Sequence, residues 1–287
     1  MAISGALRTD GKCAGCSRPD RTILAEQPRQ TALAGMLIVL ALIAPTALAW
    51  TLDDRQLIGV SVWDKPLKFE ISISLHLATL VLLLPLVDVI GRSSRELRWS
   101  MLAATFAAIF EIGAIVTQAA RGRASHFNNS TLIEGALYIL MGIGAVTMVV
   151  GAFILGLQIV KHASRKAGEG LRLGAATGLL LGAVATLIIA GLMSSGQVDG
   201  PGHWVGGVRS DASGLPLVGW STTGGDLRVP HFFATHAMQA LPIAGWLADR
   251  ALPSLARKAV IAATIVWAAL IVATFTQALM GAPLIPI

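Results

Sequence analysis

The sequence has little charge and almost no cysteine, and each shortage excludes a class of protein. Only 13% of the 287 residues are charged, whereas 54% are hydrophobic, which is not the composition of a soluble domain of this length. The two cysteines, Cys13 and Cys16, are too few for a disulfide framework. Their CxxC spacing supplies half of a structural zinc site, and no second pair completes it. These shortages indicate a chain whose main solvent is lipid.

Long hydrophobic runs take the place of the missing charge. Crossing the bilayer core requires about 20 mostly apolar residues in a helix. Such windows occur at 31–50, 67–87, 101–119, 132–160, 173–193, 231–247 and 259–279. We therefore predict an all-α fold, a polytopic transmembrane bundle of about seven helices over 31–287. A basic leader over 1–30 is predicted to be disordered. In the fifth span Gly174, Gly178 and Gly182 predict close helix packing without chemistry.

The basic residues predict the orientation of the bundle. Fifteen of the 22 Lys and Arg fall in 1–30, 88–100, 161–173 and 249–258, and the alternating segments hold seven. This excess predicts a cytoplasmic amino terminus and a periplasmic carboxyl terminus, in a bacterial inner membrane. The net charge of +6 is spread over short loops, which argues against a nucleic-acid partner and leaves the lipid bilayer as the predicted surrounding.

The end of the first span leaves one alternative open. Ala47, Leu48 and Ala49 resemble the small-residue cleavage site of a secretory signal peptide. A basic leader of about thirty residues is long for such a peptide. Cleavage would leave the orientation of the other six spans unchanged.

Polar residues in four of the spans fall on one helix face each. In the second span, Lys68, Ser72, His76 and Thr79 recur at spacings of four, four and three. The other stripes are Glu111, Gln118 and Arg121 in the third span, Glu134 and Tyr138 in the fourth, and His231, Thr235 and Gln239 beside His236 in the sixth. Polar faces in lipid turn towards the bundle interior, so we expect them to converge. Interhelical packing hydrogen bonds are the alternative for Glu111, His76 and His236.

The external segment over 194–230 differs from the short cytoplasmic loops. It is rich in Gly and Pro and lacks the periodicity of a helix or a sheet. Trp204 and Trp220 favour an ordered cap at the membrane interface, and a flexible linker is the alternative.

The leading functional prediction is an outward-facing polar pocket that binds or transports a small or anionic ligand. The ligand-binding candidates are Lys65, Lys68, His76, Glu111, Gln118, Arg121, Arg123, Asn128, Asp226 and Arg228. Their basic members would favour an anion such as a lipid headgroup or a small carboxylate. No internal inverted repeat supports transport specifically.

Two other functions remain open at this stage. His76 and His236 have matched predicted depths and could ligate a b-type haem, while His126 and His231 with Asp226 could hold a transition metal outside. A membrane-embedded enzyme ranks last, with no catalytic residue predicted, because neither a Gly-x-Ser-x-Gly elbow nor a His-Glu-x-x-His motif occurs. A scaffold role is the plain alternative to all of these.

Three stretches also carry a resemblance. They are residues 62–69 (VWDKPLKF), residues 118–128 (QAARGRASHFN) and residues 224–232 (GGDLRVPHF). Together they resemble a family of uncharacterised bacterial multi-pass inner-membrane proteins, over most of the chain after residue 55. The resemblance implies a topology and candidate residues, and it implies no reaction.

Overall fold

The computed structural model describes residues 20–200, 202–212 and 214–286, and within them the protein is all-α, as predicted. The helices are α1 (Arg21–Leu52), α2 (Asp64–Leu83, continued by a 3₁₀ turn at Leu84–Leu86), α3 (Val89–Arg92), α4 (Arg95–Ala120), α5 (Leu132–Lys161), α6 (Glu169–Ser195), α7 (Arg228–Ala251) and α8 (Ala256–Leu279). Six of these, all but α3 and α7, are long and apolar enough to cross a membrane.

Helix α7 contains the sixth predicted span but is more polar than the other long helices. It buries one face against α6. The α6 side of this contact is the glycine ladder, where a Cβ at Gly174, Gly178 or Gly182 would collide with α7. The predicted close packing of these glycines is thus confirmed. The number of seven spans stays a prediction, because α7 does not meet the hydropathy of a span.

Helix α1 begins ten residues earlier than the predicted first span. The Asp20 side chain caps it by accepting from the Thr22 amide (2.9 Å), a common way to start a helix. Its first turns dock on the protein, because Arg98 Nε donates to Gln27 Oε1 (2.8 Å). Residues 21–30 are therefore helical, contrary to the predicted disorder. Cys13 and Cys16 lie outside the described residues.

The rest of α1 packs as a full member of the bundle. Gly35 lies against Thr105 of α4, and Thr46 Oγ1 donates to the buried carboxyl of Glu70 on α2 (2.7 Å). Removal of α1 at Ala49 would expose these surfaces, so the packing favours a retained first helix over a cleaved one.

The long helices form two groups. Helices α1, α2, α4 and α5 form the first group, whose core contains Val39, Leu77, Leu97 and Leu155 and continues into α6 at Leu179. Helices α6, α7 and α8 form the second group, joined to the first mainly by the packing of α5 on α6. Helices α2 and α7 have little direct contact, and a hydrogen bond from Gln239 Nε2 to Thr79 Oγ1 (2.9 Å) links them.

The two ends of the bundle differ in their connections. We call the end with residues 53–63, 121–131 and 196–227 the long-loop end, and the end with residues 84–94, 162–168 and 252–255 the short-loop end. At the long-loop end, β1 (Gln56–Leu57) pairs antiparallel with β2 (Val60–Ser61), and β3 (Trp204–Val205) with β4 (Gly225–Asp226). Neither ladder was predicted, because two-residue strands leave no periodic pattern.

Candidate functional site

Seven Lys and Arg residues lie at the long-loop end, and five of them form ion pairs. The pairs are Arg55 with Asp53 (2.6 Å), Arg121 and Arg123 with Glu134 (2.9 and 2.8 Å), Arg209 with Asp199 (2.9 Å), and Arg228 with Asp226 (2.7 Å). The other two are Lys65 and Lys68 of α2, which have no ion pair within the described part of the chain. Among the basic ligand-binding candidates, only these two lysines therefore remain without an ion pair in the described residues.

The groups nearest to these lysines do not form ion pairs with them. Asp64 lies four residues before Lys68, at a spacing that suits a helical ion pair. Its Oδ1 instead accepts from Trp50 Nε1 (2.6 Å). The Lys65 ammonium lies 5.6 Å from the centre of the Phe69 ring, a cation–π distance. Both lysines are thus left available for an anion.

Glu134 organises the connection between α4 and α5. It lies in the first turn of α5, is 2% exposed, and receives Arg121 and Arg123 on Oε1. Gln118 Nε2 donates to its Oε2, and Asn128 Nδ2 lies 3.5 Å from the same atom. Four predicted ligand-binding residues, Gln118, Arg121, Arg123 and Asn128, therefore meet at one carboxylate. Their role here is to hold the connection in shape.

Asp226 and Arg228 fix the long segment over the bundle. Asp226 accepts from Arg228 Nε and Nη2 and from the Ser221 amide (2.9 Å). Arg228 also pairs with Asp211 (2.9 Å) and donates to the Gly219 carbonyl (2.6 Å). Burial opposes the charge on Asp211, but His203 and Arg228 outweigh it and hold the pKa of its carboxyl below the ordinary value. The 196–227 segment is thus a cap held by the ion pairs of Arg228 with Asp211 and Asp226.

Beneath the cap, Glu111 forms the centre of a buried group. Its side chain is 1% exposed, and Oε1 lies 3.4 Å from His126 Nε2. His126 Nδ1 in turn lies 3.1 Å from Ser125 Oγ. Burial and the nearby Lys65 charge lower the pKa of His126 to about 3, so its imidazole is neutral at physiological pH. No sequence pattern indicates the contact between Glu111 and His126, because Glu111 lies on α4 and His126 lies in the connection that follows it.

Lys65 connects this group with the cap. Its charge interacts with Glu111 on one side and with Asp211 and Arg228 on the other. The rings of Phe69 and Tyr138 close around His126, with centroid distances of 5.4 and 6.1 Å. The group is thus walled by α2, α4 and α5 and covered by the long segment.

Within the described residues, several buried polar atoms have no hydrogen-bond partner. They include His76 Nε2 on α2, Glu111 Oε2 on α4, Tyr138 Oη on α5 and His231 Nδ1 on α7. An unpaired buried polar atom costs about 1–3 kcal/mol, so each such atom needs an explanation. The four helices that carry these four atoms are the four with predicted polar faces.

The polar face of α2 becomes less exposed with depth. Lys68 and Ser72 are exposed, His76 is half-buried and Thr79 is 7% exposed. The opposing α7 follows the same trend, from Phe232, which is 39% exposed, to the half-buried Gln239. We use the name α2–α7 groove for the strip between these two helices that runs from the long-loop end to the Gln239–Thr79 hydrogen bond (2.9 Å). The side chains assigned to this strip are Lys65, Lys68, Ser72, His76 and Thr79 of α2 and Phe232, His236 and Gln239 of α7.

The predicted haem ligands border this groove. His76 contacts the backbone of Met148 on α5, whereas His236 Nδ1 pairs with Gln239 Oε1 (3.1 Å) and its ring lies 4.1 Å from that of Phe232. The bond between Gln239 and Thr79 crosses the groove three residues beyond each histidine. A macrocycle between the two rings would have to displace this bond.

The predicted external metal site is not assembled. His126 contacts Glu111, Asp226 is taken by Arg228 and Ser221, and His231 lies near His236. Throughout the described ranges, no three His, Cys, Asp or Glu side chains are grouped so as to hold a metal ion. The sequence could not reveal this, because spacing along the chain does not show which neighbours each candidate has in the folded protein.

No protein-family model, curated protein or solved structure matches this chain. Function must therefore be inferred from the side chains themselves.

Proposed function

We propose that this chain is a multi-pass protein of a bacterial inner membrane that binds a small anionic ligand in the α2–α7 groove, as a binding or transport protein. The observation that carries the proposal is the selective absence of ion pairs at Lys65 and Lys68. Every other cation of the long-loop end has a carboxylate within ion-pair distance.

The physical case rests on charge and burial together. Lys65 is half-buried at the mouth of the groove, beside the Phe69 ring and within electrostatic range of Arg228. Partial burial strengthens the field of a cation that has no ion-pair partner and favours a counter-ion. Carboxylate and phosphate groups match an ammonium donor. Lys68 lies one helical turn away on the same face, so both ammonium groups can reach the same anion.

The unpartnered buried atoms supply the polar lining that such a ligand needs. His76 lies deeper on the polar face of α2 than the lysines and has an unpaired Nε2, and Glu111 has an unpaired Oε2 and interacts electrostatically with Lys65. Pockets that bind small molecules combine apolar walls with a few placed polar groups. The same need explains the polarity of α7, whose polar face would line the groove as a seventh crossing helix.

The orientation follows from the basic residues. Fifteen of the 22 Lys and Arg belong to the amino-terminal segment and to the segments at or flanking the short-loop end, and such an excess marks the cytoplasmic side. The groove would then open to the periplasm.

Thermal unfolding of the purified, detergent-solubilised protein tests the proposal. Succinate, sulfate and phosphatidylglycerol in mixed micelles are the three probes. A bound anion at about 100 times its Kd stabilises a protein by about 2.7 kcal/mol. We expect at least one probe to raise the unfolding temperature of the wild type. The double variant Lys65→Ala/Lys68→Ala should lose most of this rise.

The matched control is Lys161→Ala, because Lys161 is an exposed lysine at the short-loop end. It should respond like the wild type. A response to succinate or sulfate identifies a soluble anion, and a response to phosphatidylglycerol alone identifies a lipid headgroup. The proposal is wrong if none of the probes stabilises the wild type, or if the double variant responds as strongly.

A further inference from the structure

The bundle contains two buried carboxyl groups with the same hydrogen-bond deficit. Glu70 on α2 and Glu111 on α4 are 0% and 1% exposed. Within the described residues, each has a polar partner at Oε1 and no hydrogen-bond partner at Oε2. A carboxylate in such a place is costly unless it is paired or protonated. The two residues form a natural comparison, because they differ only in what surrounds them.

Their surroundings decide which of them can exchange a proton. Glu70 accepts from Thr46 Oγ1 (2.7 Å), and a hydroxyl carries no charge and does not titrate at ordinary pH. Glu111 faces Lys65 from α2 and His126 from the α4–α5 connection. From α5 it meets Gly144, near Oε2. Glu111 is therefore the carboxyl with titratable groups at hand.

Further charged groups reach Glu111 only indirectly. Tyr138 of α5 touches His126 through its ring. Asp211 and Arg228 of the cap interact with Lys65. Lys65 is thus the group shared by the cap, the groove and Glu111.

Glu111 also has a route to the aqueous side. The His126 side chain is 21% exposed, while its Nε2 contacts the Glu111 carboxyl. A neutral imidazole can take up a proton on one nitrogen and release one from the other. His126 can therefore pass protons between the long-loop end and Glu111, and Glu70 has no such neighbour.

We propose that Glu111 takes up a proton when an anion binds at Lys65, so that the anion and the proton enter the site together. An ionised Glu111 compensates the Lys65 charge and repels a second negative group beside it. A protonated Glu111 leaves Lys65 uncompensated and removes the repulsion. One proton and one negative charge then bind with no net change of charge. By linkage, each raises the affinity for the other equally.

This inference rests on the proposed anion site and predicts its pH dependence. Affinity for succinate or sulfate should fall as the pH rises through the titration of Glu111, by up to about tenfold per pH unit for one coupled proton. The variant Glu111→Gln is permanently neutral. It should bind the anion tightly and with an affinity that does not fall as the pH rises. Glu70→Gln, the matched control, should keep the wild-type dependence.

Infrared difference spectroscopy without any anion supplies the second measurement. A pH-dependent carboxylic-acid C=O band should be present in the wild type, absent in Glu111→Gln and unchanged in Glu70→Gln. His126→Ala should slow hydrogen–deuterium exchange of that band.

The outcomes separate the two proposals. Anion binding with the same affinity at every pH leaves the anion site standing and overturns the coupling. A wild-type pH dependence that persists in Glu111→Gln overturns it as well. If no anion binds to any variant, the proposed function fails and the coupling fails with it, whatever the infrared band shows.

Discussion

The two ends of this bundle use charge in different ways. At the short-loop end most of the described Lys and Arg side chains are exposed and form no ion pair. The elements there are tied largely through backbone groups: the Gly170 and Leu171 amides of α6 donate to the Asp249 carboxylate (2.7 and 2.8 Å), and the Asp88 amide donates to the His162 carbonyl (2.8 Å). At the long-loop end most cations are instead paired with carboxylates.

The difference shows that an unpaired cation does not by itself indicate a binding site. Where cations lie in solvent, a missing partner needs no explanation, because exposed ion pairs contribute little. Where carboxylates hold five of seven cations, the two that remain unpaired are the exception. Lys65 and Lys68 are informative because of the end at which they lie. Three measurements would break or sharpen this comparison, beginning with the largest expected effect.

Arg228→Met should open the cap. It leaves Asp226, which is 2% exposed, and Asp211 without their cation, and removal of one partner from a buried pair costs about 3 kcal/mol or more. Limited proteolysis should cut the 196–227 segment at least about tenfold faster than in the wild type. Arg257→Met is the control, because its pair with Glu169 at the short-loop end is exposed. Equal cleavage of both variants would remove the distinction between the ends.

Glu134→Gln should destabilise the α4–α5 connection. It leaves two guanidinium groups facing a neutral amide, and the Arg121–Gln118 bond (2.7 Å) loses its anchor. The unfolding temperature should fall by several degrees. Glu169→Gln, which breaks an exposed pair, should change it little. A larger effect from Glu169→Gln would contradict the assignment of the structural pairs to the long-loop end.

Acid should loosen the cap by a smaller amount. Burial lowers the pKa of His203, and the pKa of Asp211 is also held below its ordinary value. Both groups bind protons more readily in the unfolded chain, so their contribution to the stability of the fold is fully present at neutral pH. The contribution of His203 is lost as the pH falls below about 6.5, and that of Asp211 as the pH falls below about 3.9.

Trp204 reports this change, because its ring lies 3.7 Å from that of His203. Its fluorescence should shift as the pH falls, and the part below about pH 4 should disappear in Asp211→Asn. A shift that appears only as the pH rises would reverse the sign argued for both groups.

Hydropathy predicted the long helices and glycine spacing predicted close packing along α6, because both depend on local sequence, whereas only the structure identifies α7 as the packing partner. The predicted start of the first helix was wrong. A helix can extend beyond its apolar span when its polar side chains find partners, as Gln27 does at Arg98. The sequence also could not predict which charged and polar side chains pair with one another. Lys68 has Asp64 at helical spacing, yet Trp50 binds that carboxylate. Pairing depends on which elements meet, and composition does not record it.

The glycine ladder has a mechanical consequence. With no Cβ between them, α6 and α7 approach backbone to backbone and behave as one rigid rod. Between α7 and α2 lies a groove latched by the Gln239–Thr79 bond. The α6–α7 pair is therefore the stiff side of the groove. The single bond from Gln239 to Thr79 is the contact that any change in the width of the groove would have to break.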